Sequence, residues 1–190
     1  FNWYHNIDIR DCDPGDISTL RQFIINSNDS LEMDMDVDFN GEVDVLELGW
    51  QLWEGGRLIH WICQEVPSPY YFYEYNCGLN GNIPEDIGNL DGLIKLRLQN
   101  NNLTGKVPES ICELKITNDG SYWFNLGNNK LCPPYPECVE DIISNQRITN
   151  CCLPSPSGCV LASNCVIRLE QEKLCGTFFI VPTASVSTLV

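Results

Sequence analysis

The chain has 190 residues, enough for one domain or a domain with a tail, and a net charge of −15. Thirteen acids against two bases fall in residues 1–56, so −11 of that charge sits in the N-terminal part. This excludes an electrostatic fit to nucleic acid or to an anionic membrane surface. No apolar run approaches the roughly 20 residues that span a bilayer, and membrane insertion is not expected. Thr177–Val190 is apolar but short and is interrupted by Pro182. Eleven cysteines without a CxxC pair or a companion histidine spacing disfavour a zinc ribbon and imply disulfides in an oxidising compartment. Eleven is odd, which leaves at least one thiol free or paired outside the chain. The start at Phe-Asn-Trp, rather than Met, is that expected of a mature protein or a fragment.

In chain order, the first predicted element is a helix over about 14–25. Asp13 suits its N-cap, Pro14 its first position and Asp16 its first turn. Ile17, Leu20 and Ile24 share a face, with Phe23 beside it. Residues 36–47 then read D-V-D-F-N-G-E-V-D-V-L-E. The pattern is similar to an EF-hand calcium loop, and that resemblance implies a ligand set. Asp36, Asp38 and Asn40 would donate side-chain oxygens, Glu42 its carbonyl, Asp44 an oxygen often reached through water, and Glu47 both carboxylate oxygens, with Gly41 at the sharp turn. The competing reading is an acidic turn in which Asp44 and Glu47 form a helix capping box. That accounts for two residues but not for Asp36, Asp38, Asn40 and Gly41 in register with them. Asn26-Ser-Asn-Asp-Ser30 breaks the helix that should enter a paired EF-hand, so the motif resembles an isolated, dockerin-like structural loop with Ca²⁺ as its cofactor. A short helix over about 44–54, carrying Leu46, Trp50 and Trp53 and ended by Gly55-Gly56, is expected next.

The central segment repeats itself. G-L-N-G-N-I-P-E-D-I-G-N-L over 78–90 recurs as N-L-T-G-K-V-P-E-S-I-C-E-L over 102–114, every matched position offset by 24. Leu93-Ile-Lys-Leu-Arg-Leu-Gln-Asn-Asn-Asn-Leu103 between them is L-x-x-L-x-L-x-x-N-x-L. These phrases resemble the extracellular leucine-rich-repeat family, of the N-x-L-x-G-x-I-P kind found in plants and in some secreted bacterial proteins. The resemblance implies an α/β solenoid, with Leu96, Leu98 and Leu103 inward and Asn101 laddering its amide along the backbone. Leu58-Ile-His-Trp-Ile-Cys63 and Phe124-Asn-Leu-Gly-Asn-Asn-Lys-Leu131 are degenerate copies, for about three coils in all.

The expected organisation is an acidic, helical, calcium-loop N-terminal cap over 1–56 and repeats over 57–131. A cysteine-rich C-terminal cap over 132–152 and a tail or linker over 153–190 complete it. On such repeats the strand x positions face the concave surface. Here they are His60, Ile62 and Gln64, then Lys95, Arg97 and Gln99, then Trp123, Asn125 and Gly127. His60, Gln64, Lys95, Arg97, Gln99, Trp123 and Asn125 are therefore the candidate ligand-binding residues, against the alternative of an ordinary solvated scaffold surface. Pro67–Tyr75 holds five aromatics in an insertion that either contacts a partner or packs over the first repeat. Cys63 and Cys77 either bridge its base or lie in the core as thiols.

Asn28-Asp-Ser30 and Asn102-Leu-Thr104 are N-glycosylation sequons. No nucleophile elbow, zincin or phosphate-loop motif is present, so catalysis is not expected. The expectation is a secreted or cell-surface module that binds a protein or glycan partner and holds structural calcium. The alternative is a passive segment of a larger extracellular protein with no ligand beyond calcium, and an accessory to an extracellular enzyme is a third class.

Overall fold

A computed structural model describes residues 7–27, 30–63, 77–116, 122–148, 151–155, 158–167 and 173–181, with backbone alone beyond residue 151. One α-helix, α1 (Pro14–Ser27), opens the fold. The Asp13 carboxylate accepts from the amides of Gly15 and Asp16 at 2.8 and 3.2 Å, which caps the free donors of the first turn. Leu20 and Phe23 are fully buried, and Phe23 meets Trp61 edge-on with ring centroids 4.8 Å apart. Asp16, 0% exposed, takes both arms of the Arg57 guanidinium at 2.8 and 2.9 Å and the Leu58 amide at 2.8 Å. A carboxylate this deep needs such a set of charged and neutral donors, and here the pairing fixes α1 to the strand that begins at Arg57.

The expected helix over 44–54 is absent. A single 3₁₀ turn, Val45–Glu47, is followed by strand β1 (Trp50–Glu54) antiparallel to β2 (Arg57–Ile62). Gly55 and Gly56 stop nothing helical. Their φ values of +57° and +81° make the two-residue turn whose twist matches a hairpin. The aromatic-rich Trp-Gln-Leu-Trp-Glu run fits a half-buried strand as readily as one helix face, and the Gly-Gly turn decides between them.

Beyond the hairpin lie β3 (Asn80–Asn82), β4 (Lys95–Arg97), β5 (Asn102–Lys106), β6 (Phe124–Asn125) and β7 (Lys130–Cys132). The order β1-β2-β4-β6 makes one sheet, antiparallel at β1-β2 and parallel thereafter, and β3-β5-β7 makes a second, parallel one. A third sheet joins β8 (Gln146–Ile148), β9 (Cys151–Ser155), β10 (Gly158–Ile167) and β11 (Lys173–Val181) by antiparallel pairs centred on β10.

The expected α/β solenoid of about three coils is therefore corrected. The chain forms a small, sheet-rich, disulfide-bonded fold with mixed sheets and, among the described residues, one α-helix. The physical reason lies in the connections. Ile87–Asn89, Glu109–Glu113 and Glu137–Val139 are 3₁₀ turns of three to five residues, too short for α-helices, and Pro84, Pro108 and Pro136 stand just before them. Within the stretch expected as a tail or linker, 153–190, the described residues form the end of β9 and the strands β10 and β11. Its valine, leucine, isoleucine and phenylalanine content suits strands.

Leu58, Trp61, Cys63, Leu93, Leu96, Leu98, Leu103, Leu126 and Leu131 are fully buried between the first two sheets. Among the described residues three disulfides add covalent links: Cys63–Cys77 between the end of β2 and the start of the β3 segment, Cys112–Cys138 between two 3₁₀ turns, and Cys132–Cys151 between β7 and β9. Cys12 is a buried free thiol whose pKa burial pushes up.

A ladder of amides closes the gap between the sheets. Asn101 Nδ2 donates to the carbonyls of Cys63 and Leu98 at 2.6 and 3.1 Å, and its Oδ1 accepts from Leu79 N at 3.0 Å. Asn129 repeats this with Leu98 O and Leu126 O at 2.9 and 3.0 Å and Leu103 N at 3.0 Å. Gln146 supplies a further rung, donating to Leu126 O at 2.9 Å and accepting from Leu131 N at 3.0 Å. Each rung satisfies strand-end groups that have no sheet partner, and replacing one with an apolar side chain leaves several buried groups unpaired. Asn129→Ala is expected to destabilise the fold by about 3 kcal/mol, whereas Asn102→Ala, at an exposed position of β5, costs about 0.5 kcal/mol. Urea midpoints of the two variants check this, and equal losses would mean that the ladder carries no special weight.

Candidate metal loop and strand face

Met33–Met35 forms a 3₁₀ turn that delivers the chain to Asp36, and Val45–Glu47 forms the one that closes the loop at Glu47. Between them the backbone curls inward. Asp36 accepts from the amides of Asn40 and Gly41 at 3.1 and 2.9 Å, and Asp38 Oδ1 accepts from Asn40 N at 3.0 Å. Asn40 Oδ1 accepts from Glu42 N at 2.8 Å. Glu47 Oε1 accepts from Val37 N and Asp38 N at 2.9 and 3.3 Å, while Oε2 accepts from Asp44 N at 3.0 Å. The last bond belongs to the capping box, so the acidic-turn geometry and the loop geometry coexist in the same residues.

Asp36, Asp38 and Glu47 each bring a carboxylate oxygen within 4.8 Å of the others. Asp44 lies outside that cluster, and Asn40 and Glu42 sit on the same curl. Among the described residues no lysine or arginine forms an ion pair with any of these acids. Three hard oxygen donors, a backbone bent at Gly41 (φ +93°) and no neutralising side chain make a donor set suited to a hard cation such as Ca²⁺. Phe39, at φ +59° and 89% exposed, stands at the loop tip.

The second candidate region is one face of β1, β2, β4 and β6. His60 lies opposite Lys95 in the parallel β2-β4 pair, and Arg97 opposite Asn125 in β4-β6. The structure gathers Trp50, His60, Lys95, Tyr122 and Trp123. The His60 ring lies 5.9 Å from Trp50 and 6.1 Å from Trp123, and the Tyr122 and Trp123 rings meet edge-on at 5.3 Å. Lys95 Nζ stands 3.8 Å from the Tyr122 ring centroid and 5.2 Å from that of Trp123, with Arg97 Cζ 5.6 Å from Tyr122.

Two of the expected surface residues, Lys95 and Gln99, are buried at 7% exposed each. Their positions point outward, but the rings of Tyr122 and Trp123 lie over the lysine. Asn125 turns its Oδ1 to the Gly127 amide at 2.9 Å, in a local turn. Gln64 and the aromatic insertion 67–75 lie outside the described residues, as does Asn28 of the first sequon. Trp50 and Tyr122 were missed by sequence reasoning. The sequence pattern puts Trp50 on a helix, and Tyr122 lies two residues before the Phe124–Leu131 phrase with no pattern to mark it.

Desolvation and the neighbouring Lys95 hold the His60 imidazole below its ordinary pKa, and desolvation also lowers Arg97. The Nε2 atom of His60 is buried and, among the described residues, has no hydrogen-bond partner.

No protein-family model matches the chain, and no curated protein does. Among solved structures the chain is similar to the crystal structure of a plant ice-binding protein, at 22% identity and a TM-score of 0.37. The match covers 72% of this chain and 47% of that one, so the chain spans about half the length of the protein it matches. A likeness of this size carries no argument about what the chain does. No described helix is long and apolar enough to cross a membrane.

The lowered imidazole pKa has a defined sign. The unfolded chain takes up a proton on this histidine near pH 6.5, while the folded chain does so only at lower pH. Stability tied to His60 is therefore present above that pH, falls as pH drops below about 6.5, and stops falling below the folded value. His60→Gln is expected to lose less stability than the parent between pH 7.5 and pH 5.5 in urea unfolding. An identical loss in both proteins would assign the acid sensitivity to the carboxylates.

Proposed function

We propose that this chain is a secreted or cell-surface binding module that takes a protein or glycan partner on the β2-β4-β6 face and holds calcium in the 36–47 loop. The observation that carries the reading is the gathering of His60, Lys95, Arg97 and Trp123, with Tyr122, on one face of a rigid sheet. Aromatic rings beside desolvated cations supply contact area and charge at small entropy cost, which is the composition of binding hot spots. The repeated N-x-L-x-G-x-I-P phrase, by its family resemblance, supports an extracellular binding role. The three disulfides are consistent with that setting.

Calcium in this reading is structural. Asp36, Asp38 and Glu47 would hold it, with Asn40, Asp44 and the Glu42 carbonyl completing the shell. Its charge would offset the acidic excess of residues 1–56. Its binding would fix a loop whose closing residue, Glu47, leads into β1. No catalytic residues are proposed. The runner-up is a passive segment whose only ligand is calcium, and it is separated from the first reading by the behaviour of the strand face.

Two results are expected. Millimolar calcium, but not magnesium, raises the melting temperature by about 5–10 °C over chelator, corresponding to about 2.7 kcal/mol at 100 times the dissociation constant. The Asp36→Ala, Asp38→Ala double variant loses that rise, and superimposable melts in all conditions would reduce the loop to a capped turn. A triple Lys95→Ala, Arg97→Ala, Trp123→Ala variant that melts cooperatively is expected to lose capture of ligands held by the parent from an array of extracellular proteins and glycans. Unchanged capture would move binding off this face, and no capture by the parent would leave the passive reading.

A further inference from the structure

The strand face contains a cation in an unusual state. Lys95 is 7% exposed, yet among the described residues it forms no ion pair, in a chain whose acids outnumber its bases 26 to 11. Its compensation is aromatic, from Tyr122 at 3.8 Å and Trp123 at 5.2 Å. A buried ammonium without a carboxylate is costly, and ring quadrupoles return only part of the lost hydration. An arriving anion would meet a charge already stripped of water, where a charge-assisted contact is worth more than at an open surface.

Tyr122, 61% exposed, is the way in. One side of its ring lies over the ammonium, and the rest of the residue faces solvent beside Trp123. Arg97, 5.6 Å from the same ring, adds a second positive charge at its edge.

The inner strands of this face offer a ligand little backbone. The amides of Cys63, Ile94, Leu96 and Leu98 already donate to Arg97, Ile59, Trp123 and Asn125 within the sheet. A ligand lying across these inner strands meets no free amide, so recognition there rests on side-chain stacking and charge. A ring with apolar faces and an attached carboxylate meets both demands at once.

We propose that Lys95, Tyr122, Trp123 and Arg97 form a subsite for a carboxylated sugar of an acidic polysaccharide, the carboxylate meeting the Lys95–Arg97 cation pair beside the Tyr122 ring and the sugar ring packing against the edges of Tyr122 and Trp123. The inference rests on the strand face being the binding surface and names the ligand class for it. His60 stands beside the subsite, and its unpartnered Nε2 is available to a sugar hydroxyl once Trp123 or Tyr122 shifts.

The test is calorimetric titration, at fixed calcium, with a uronic-acid oligosaccharide, its methyl ester and its neutral hexose counterpart. The acid is expected to bind at least about tenfold more tightly than the other two. Lys95→Gln and Tyr122→Ala should each lose about tenfold, and Lys95→Arg should recover most of the loss, with melting curves confirming that every variant folds. Equal affinity for the acid and the neutral sugar, or full affinity in folded Lys95→Gln, overturns the proposal. If the acid fails but a neutral glycan or a purified protein binds in a Trp123-dependent way, the sugar-acid inference falls and the binding face stands. If no ligand depends on the face, both readings fall.

Discussion

The fold depends on a shortage of hydrogen-bond partners. Each time the chain leaves a strand of the β2-β4-β6 sheet to reach the β3-β5-β7 sheet, it carries carbonyls and amides into buried space where neither sheet pairs them. Asn101, Asn129 and Gln146 fill that space with one amide each, donating to two or more carbonyls and accepting from one backbone amide. A side-chain amide is the group that can do both from one position. Leu98 O receives bonds from two successive rungs, so the rungs are coupled through shared acceptors. The spacing between the sheets, and hence the leucine packing inside, is fixed by these side chains as much as by the apolar contacts.

The two candidate sites sit on either side of that frame. The Glu47 carboxylate, which gathers three loop amides, comes directly before the β1-β2 hairpin, and Trp61 Nε1 donates to the Leu48 carbonyl at 2.9 Å. Loop geometry is thereby tied to the strand that carries His60. Lys95 and Arg97 belong to β4, the strand that leads into the Asn101 rung. The aromatic and cationic groups are therefore displayed by backbone that the ladder and the sheet both hold still. That is the condition for binding through a few preorganised side chains.

Much of the buried skeleton was readable beforehand. The 24-residue offset marks Leu79, Leu103, Ile87, Ile111, Leu90 and Leu114, all of which are buried, and Asn101 was read as the residue that ladders its amide. These are short-range patterns in which period and residue type determine which way a side chain points. What was not readable depends on partners distant in sequence. A Trp-Gln-Leu-Trp-Glu run is ambiguous between helix and strand until Gly55-Gly56 turns it back on β2. The Gln146 rung falls outside any repeat phrase and uses a longer side chain for the same task. The 3₁₀ connections, which turn an expected α/β solenoid into a mixed-sheet, disulfide-bonded fold, follow from connections a few residues long, which the repeat pattern does not weigh. The pairings Cys112–Cys138 and Cys132–Cys151 follow from three-dimensional proximity that no cysteine spacing encodes.

Lys95 illustrates the same limit at the strand face. Its position in the strand alternation points outward, and an outward lysine is ordinarily a solvated one. Only the arrival of Tyr122 and Trp123 over it, from a segment about 27 residues further along the chain, turns it into a nearly buried cation. The difference matters chemically. A solvated lysine contributes little to affinity because its partner must compete with water. A desolvated one has its hydration cost met when the protein folds, so its interaction with an anion is available in full on binding. The aromatic cover over β4 is therefore what separates this strand face from an ordinary charged surface.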